Sequence, residues 1–174
     1  MIRVITKARL VALSILVIAV LPTYSKAGLV VEEPESSLEI FLQEKDVHCL
    51  AKNIYFESRG EPKEGKVAVG IVTLNRVDNP DFPKTICGVV NHKTKSRTGK
   101  TVCQFSWACK RSGTPKASDP MWEESLKIAK KLLTGNYIEW QTKYGNAHYF
   151  HNAHVNPKWN LRRVARVGRH IFYS

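Results

Sequence analysis

The stretch Asn53-Ile54-Tyr55-Phe56-Glu57-Ser58-Arg59-Gly60-Glu61-Pro62 decides the fold, because it joins two amphipathic helices through a tight elbow. Before the elbow, apolar residues recur at spacings of three and four, which predicts a helix that Asp46 caps and Gly60 ends. After it, Pro62 suits the first position of a second helix that runs to Asn79-Pro80. The predicted apolar faces are Val47, Leu50, Ala51, Ile54 and Tyr55 in the first helix and Val67, Ala68, Ile71, Val72 and Leu74 in the second.

The rest of the chain adds a third helix and short strands. Asp119-Pro120 predicts the start of the third helix, and Gly135 predicts its left-handed end. Aromatic and β-branched residues surround Gly168, which predicts a hairpin from Val164 to Tyr173. Residues 80–117 are rich in Pro, Gly, Lys, Ser and Thr and are predicted to be irregular. The expected fold class is therefore α+β, mainly helical with a short β-hairpin region, in a single domain.

The N-terminus has the layout of a secretory signal peptide. Basic residues precede the apolar run Leu10–Leu21, and Ser25-Lys26-Ala27 offers small residues at a cleavage site. The run is shorter than the roughly 20 residues that a membrane span needs. We expect residues 1–27 to be removed, no stable membrane span after processing, and a protein exported to the periplasmic or extracellular cell-wall space. An uncleaved anchor is the alternative.

The composition suits a folded, basic, exported protein. Of the 174 residues 43% are hydrophobic, which is enough for one compact domain. The formal net charge is +12; residues 1–27 carry four basic and no acidic groups, so the remainder keeps +8. Outside the cytoplasm, wall polymers, acidic peptide stems and anionic lipids attract such a charge, whereas nucleic acid is not an expected partner. A basic surface that only aids solubility is the alternative.

Four cysteines, Cys49, Cys87, Cys103 and Cys109, follow the predicted signal peptide. In an oxidising compartment an even number of cysteines predicts two disulfides. Three pairings are possible and the sequence leaves them open, although Cys103 with Cys109 would close a small loop. A four-thiolate zinc site is the alternative, but no two of these cysteines lie two to four residues apart, as zinc ligands usually do.

Glu57 is the candidate catalytic residue. A carboxyl that acts as a general acid must stay protonated near neutral pH. A free Glu has a pKa of about 4.3, and an apolar pocket raises it to roughly 6. Glu57 directly follows Ile54-Tyr55-Phe56 beside the elbow. A solvated surface residue at the end of a helix is the alternative.

An ordered series of motifs resembles the SleB-type cell-wall hydrolases, a family that includes spore-cortex-lytic enzymes. The resemblance covers about residues 46–173. It is carried by Ala51, the stretch from Asn53 to Pro62, Gly65, Val67-Ala68-Val69, Leu74-Asn75-Arg76-Val77, Phe82-Pro83-Lys84-Thr85-Ile86-Cys87-Gly88-Val89-Val90, Cys103-Gln104-Phe105-Ser106-Trp107, Ala147-His148-Tyr149-Phe150-His151, Pro157-Lys158-Trp159 and Gly168-Arg169-His170-Ile171-Phe172-Tyr173.

The resemblance implies a lysozyme-like fold and one catalytic glutamate, Glu57. It implies a muramidase or lytic transglycosylase that cuts peptidoglycan glycan strands, and in the second case the 6-hydroxyl of muramic acid closes an anhydro product. The expected organisation is a signal peptide at 1–27, a linker or accessory helix at 28–45 and a catalytic domain at 46–174. We expect a monomer with no cofactor and no metal. Glu61 is either a second acid or a residue that holds the elbow through backbone N–H groups, and Asp78 and Asp81 are weaker candidates for a water base.

Substrate contacts are expected from side chains that suit sugars. Sugar rings lie against aromatic faces, and N-acetyl groups need hydrogen-bond partners. Arg59 could orient Glu57 or bind a carboxylate of a peptide stem, or form a structural salt bridge. Core packing is the alternative for the aromatic residues. The candidates are Gln104, Phe105, Trp107 and Tyr149.

Two rival functions remain. His148, His151 and His154, together with His48, suggest a zinc amidase, but on a helix or a strand their spacing does not direct all three clustered side chains at one ion. The other rival is a non-enzymatic module that binds wall or anionic lipid through a basic patch. The patch would consist of Arg162, Arg163, Arg166 and Arg169.

Overall fold

The computed structural model describes residues 37–110 and 112–174, which belong to one compact unit. Its elements are α1 Ser37–Glu57, α2 Lys63–Asp78, α3 Ile86–Val90, β1 Lys93–Lys95, β2 Thr101–Cys103, α4 Ser106–Cys109, α5 Pro120–Leu133, α6 Ile138–Tyr144, β3 Tyr149–Asn152, β4 Arg163–Val167 and β5 His170–Tyr173. The predicted α+β class is confirmed. The predicted signal peptide lies outside the described residues, and none of the described helices is long and apolar enough to span a bilayer.

Helix α1 is longer than predicted. It begins at Ser37, so the prediction that Asp46 caps it is wrong. The physical reason is that no Gly or Pro interrupts residues 37–57, and nothing local stops the helix at Asp46. The helix ends at Glu57, and Gly60 in the elbow has a φ of 80°, which glycine adopts without steric cost. Pro62 stands just before α2 rather than at its first position.

The core lies between α1, α2 and α5. Most residues of the predicted apolar faces are buried there, which confirms the helical periods. Gly70 of α2 lies close to both α5 and α1, because a Cβ at this position would meet the side chains of Leu132 and, at 3.1 Å, Ile54. Asp119 caps α5 by accepting the backbone N–H of Met121, as the Asp-Pro pair predicted.

Two disulfides hold the middle of the chain. Cys49 of α1 is bonded to Cys87 of α3, and Cys103 at the end of β2 is bonded to Cys109 of α4. The predicted number of disulfides is confirmed, and the structure selects one of the three open pairings. Residues 80–117 are less irregular than predicted, because they contain α3, α4 and the antiparallel pair of β1 with β2.

The C-terminal strands form an antiparallel sheet in the order β3-β5-β4. The hairpin of β4 and β5 turns at Gly168, which has a φ of 54°, and confirms the prediction. One face of the sheet packs into the core through Phe150, Phe172 and Ala165, which are register partners. The opposite face carries Tyr149 and Tyr173, which are also partners.

Helix α6 was not predicted, because seven residues are too few to show a helical period. Its Tyr144 is fully buried, and the Tyr144 hydroxyl donates to Glu64 Oε1 at 2.9 Å. Asn75 Nδ2 of α2 donates to the carbonyl oxygens of Tyr144 and Ala147, both at 2.8 Å. These bonds fix the start of β3 against α2, and β3 then supplies one wall of the site.

Candidate active site

Glu57 lies in a cleft where five separate parts of the chain meet. Its carboxyl is in the last turn of α1, shortly after the buried residues Ile54 and Tyr55. The cleft has a volume of about 200 Å³. It is lined by Glu57, Arg76, Gln104, Phe105, Tyr149, Phe150 and Trp159.

The environment of Glu57 favours its uncharged form. Burial raises the pKa of Glu57 to about 7, and the positive charge of Arg76 opposes this effect only in part. No residue in the described part of the chain gives its carboxyl a hydrogen bond or an ion pair. A substantial fraction of Glu57 is therefore protonated at neutral pH, and the cleft gives a sugar oxygen access to that proton.

Glu57 carries the only carboxyl among the residues that line this cleft, all of which the structure describes. The exposed side chains of Asp78 and Asp81 are not among them, and Asp78 lines a different groove beside α6. A glycosidase that uses two carboxyls holds them about 5–9.5 Å apart across the scissile bond. The lining of this cleft offers no such pair.

Arg76 is a cleft residue to which the sequence analysis assigned no role. Its side chain is buried, its Nε donates to the carbonyl oxygen of His148 at 2.7 Å, and its Nη1 has no partner in the described residues. The guanidinium lies 5.2 Å from the ring centres of both Phe82 and Phe105 and 5.8 Å from that of Tyr149. Burial lowers the pKa of Arg76 to about 10, so it stays charged at neutral pH.

A sequence signal for Arg76 existed. It follows the buried residues Val69, Val72 and Thr73 at helical spacing, so it falls on the inner face of α2. A buried charge is costly unless it has partners, and such residues often belong to functional sites. An arginine on the buried face of α2, in its last turn, was therefore a candidate cleft residue.

Three of the predicted sugar contacts lie in the cleft: Gln104, Phe105 and Tyr149. Phe105 is also packed, since only 3% of its surface is exposed and its ring lies 6.4 Å from that of Phe150. Trp159 is a further cleft residue, which was not among the predicted contacts. It stands in the loop between β3 and β4 with 41% of its surface exposed.

Trp107 and Arg59 lie outside the cleft lining. Trp107 stacks on Phe56 at 4.7 Å, and its Nε1 donates to Asn53 Oδ1 at 3.2 Å. Arg59 is largely exposed, lies over the ring of Tyr55 and approaches Asp119 Oδ2 at 3.8 Å. The structure thus places both side chains in contacts that tie α1 to its neighbours.

Glu61 is bound to the hairpin of β4 and β5. Its Oε2 accepts a hydrogen bond from the backbone N–H of Arg169 at 2.9 Å, and its Oε1 accepts one from the Nε–H of Arg169 at 2.8 Å. Burial raises the pKa of Glu61, but these hydrogen bonds outweigh burial and leave the pKa below its ordinary value. Glu61 is therefore an ionised group that joins the elbow to the hairpin, and it is not part of the cleft lining.

Two of the four histidines considered as zinc ligands, His151 and His48, have other side-chain contacts. The His151 ring bonds to the carbonyl oxygen of Asn152 at 2.9 Å and to the Tyr173 hydroxyl at 3.1 Å, and the ring of His48 lies against that of Trp122. Within the two described ranges, no three His, Cys, Asp or Glu side chains come together as a metal site would require.

Comparisons with known proteins place this architecture in a family. The Cell Wall Hydrolase family matches residues 60–173. The spore cortex-lytic enzyme of Oceanobacillus iheyensis is 30% identical over 132 residues, and that of Bacillus cereus is 30% identical over 131 residues; each match covers 74% of this chain. The chain spans 41% and 44% of the length of these two relatives.

Two solved structures have the same fold. The catalytic domain of the Bacillus cereus SleB protein has a TM-score of 0.55 and 30% identity, and the match covers 75% of this chain and 91% of that one. The catalytic domain of the germination-specific lytic transglycosylase SleB from Bacillus anthracis has a TM-score of 0.57 and 30% identity, with 75% and 95% covered. The resemblance found in the motifs is confirmed, and this chain belongs to the cell wall hydrolase family.

Proposed function

We propose that this chain cleaves the glycan strands of peptidoglycan and that Glu57 is the acid that protonates the leaving oxygen. The observation that carries the proposal is the half-buried Glu57 carboxyl, with a pKa raised to about 7, in a cleft lined by aromatic and amide groups. The spore cortex-lytic enzymes and the lytic transglycosylase among its relatives support the same chemistry.

The cleft favours the anhydro-forming reaction over hydrolysis. Glu57 gives its proton to the glycosidic oxygen as the bond from that oxygen to C1 breaks, which leaves an oxocarbenium-like sugar. Because Glu57 is the only carboxyl in the lining, no second acid is placed to attack C1 or to activate water. This sugar is a muramic acid, and its own 6-hydroxyl oxygen then bonds to C1. The hydroxyl proton passes to Glu57, which restores the acid.

Arg76 and the aromatic residues have supporting roles in this scheme. The guanidinium of Arg76 stabilises the carboxylate that remains on Glu57 after proton transfer, because an opposite charge nearby favours the ionised form. Gln104 offers hydrogen bonds to an N-acetyl group, and the rings of Tyr149 and Trp159 offer faces to sugars. We propose that Glu61 holds the elbow through Arg169 rather than acting as a second acid.

The chain is proposed to act outside the cytoplasm, as a monomer, in the compartment that contains peptidoglycan. The two disulfides support this location, since such bonds persist in oxidising compartments. The predicted signal peptide at residues 1–27 would direct the export.

Mass spectrometry of digested peptidoglycan tests the reaction. We expect fragments that end in anhydromuramic acid, which are lighter by one water than the products of hydrolysis. Fragments with an ordinary reducing muramic acid would instead establish a muramidase, which needs a water base outside the observed lining. Release of free peptide stems from uncut strands would contradict glycan cleavage altogether.

The pH dependence of the rate tests the role of Glu57 independently. Because the acid must be protonated, kcat/KM is expected to be high below pH 7 and to fall about tenfold per pH unit above it. The measurement is the release of soluble fragments from labelled peptidoglycan between pH 5 and 9 at constant ionic strength. A fall centred near pH 4.5, as an ordinary glutamate would give, would contradict the assignment.

A further inference from the structure

The C-terminal sheet presents aromatic and basic side chains on the side away from the core. Cross-strand partners point to the same face of a sheet, as do alternate residues of one strand. Tyr173 pairs with both Tyr149 and Arg163, and Ile171 pairs with both His151 and Arg166. We call the set of Tyr149, His151, Tyr173, Arg163 and Arg166, together with Trp159, the outer sheet face.

Trp159 is held over this face by other rings. Its ring centre lies 5.9 Å from that of Tyr149, 5.4 Å from that of His151 and 5.7 Å from that of Tyr173. The His151 ring is itself fixed, because it bonds to Asn152 and to the Tyr173 hydroxyl. An exposed tryptophan that is already ordered loses little entropy when a ligand packs against it.

The outer sheet face is continuous with the cleft. Tyr149 and Trp159 belong to both, since each lines the cleft that contains Glu57. A polymer whose scissile bond lies at Glu57 therefore passes over Trp159 when it leaves the cleft on this side.

The C-terminal part of the chain carries an excess of positive charge, which favours an anionic partner. From residue 140 to residue 174 the sequence has no Asp or Glu and six Lys or Arg. Arg169 is engaged by Glu61, whereas Arg163 and Arg166 are exposed and, within the described residues, neither forms an ion pair. Both lie on the strand at the edge of the outer sheet face, beside the aromatic residues.

We infer that the outer sheet face binds the glycan strand beyond the scissile bond, with a sugar ring on Trp159 and the carboxylates of acidic peptide stems on Arg163 and Arg166. This inference rests on the proposed function, because it takes the polymer in the cleft to be peptidoglycan. It assigns two kinds of contact to separate residues. The aromatic contact recognises the glycan itself, whereas the arginines distinguish strands that carry stems from strands that do not.

The test measures binding without cleavage, in chains that also carry Glu57→Gln. The ligands are insoluble peptidoglycan with its stems and glycan strands from which an amidase has removed them, with the lactyl carboxylates that this removal exposes converted to neutral amides. Trp159→Ala is expected to weaken binding to both ligands about tenfold. The double variant Arg163→Gln/Arg166→Gln is expected to weaken binding to the stem-bearing ligand about five- to tenfold, and to the stripped ligand much less.

The matched control removes two positive charges elsewhere. Arg97 and Lys100 are exposed in the turn between β1 and β2, and Arg97→Gln/Lys100→Gln lowers the net charge equally. We expect this control to change binding to either ligand by less than about twofold. Apart from Glu57, which is Gln in every chain of the test, all the substituted side chains are exposed, and thermal unfolding of each variant checks that the fold is retained.

Three results would overturn the inference. The first is that both test variants bind peptidoglycan as tightly as their parent. The second is that the Arg97/Lys100 control loses as much affinity as the arginine variant. The third is that the arginine variant loses affinity for anionic lipid vesicles but not for stem-bearing strands. The double arginine variant tests the binding of peptide stems by Arg163 and Arg166 even if Trp159→Ala does not fold. Product analysis of the unaltered chain involves none of these variants, so a chain that cuts nothing would overturn the proposed function separately.

Discussion

Replacing Glu57 with Gln will lower the rate of glycan cleavage by about 10³-fold or more while the fold is retained. Glutamine has the same shape but has no proton that it can donate near neutral pH. The cleft lining offers no other carboxyl to take over the transfer. The measurement is the initial rate of fragment release from peptidoglycan, together with circular dichroism of the purified variant.

Glu139→Gln is the matched control, because Glu139 is exposed on α6 and lies outside the cleft. It makes the same chemical change and is expected to keep the full rate. If Glu57→Gln retained more than about a tenth of the rate, another group would be the acid. If the lytic effect persisted in full, the non-enzymatic wall-binding module would be the better account.

The same variant has an expected effect on stability that depends on pH. The pKa of Glu57 is raised from an ordinary value near 4.5 to about 7 in the folded chain, so the folded state binds the proton more tightly than the unfolded state. Ionisation then costs stability as the pH rises from 4.5 through 7. Allowing for partial access of water, Glu57→Gln will raise the free energy of unfolding by about 1–2 kcal/mol at pH 8 and change it little at pH 4.

Removal of the disulfide between Cys49 and Cys87 will lower the free energy of unfolding by about 4 kcal/mol, because this bond closes a loop with a sequence separation of 38. For a domain of this size the midpoint of thermal unfolding will fall by about 10 °C or more. The variant is Cys49→Ser/Cys87→Ser, and the measurement is thermal and urea unfolding followed by circular dichroism.

Cys103→Ser/Cys109→Ser is the comparison for this prediction. Its loop has a sequence separation of only 6, so the expected loss is about 2 kcal/mol. Its effect on activity will nevertheless be the larger of the two, because the cleft residues Gln104 and Phe105 lie inside that small loop. If this second variant were the less stable one, loop closure would not be the source of the stabilisation.

Much of the architecture followed from local patterns. The apolar faces of α1 and α2, the cap at Asp119 and the turn at Gly168 were predictable because helical and strand periods and glycine conformations are set by neighbouring residues. The continuity of α1 through Asp46 was missed because Asp46 is a residue type that often caps a helix, and α6 was missed because it is short. The position of Glu57 after apolar residues at an elbow made it a candidate, and the resemblance to the cell-wall hydrolases implied its role as the acid.

The sequence by itself thus determined α2, α5 and most of α1, the hairpin, the number of disulfides and the residue proposed as the acid. Only the tertiary structure decided which side chains share the cleft with Glu57. It brought Arg76 and Trp159 in and left Trp107 and Arg59 outside, and it selected the cysteine pairs. The physical reason is that these neighbours come from elements far apart in the chain, so their meeting depends on how the helices and the sheet pack rather than on any local pattern.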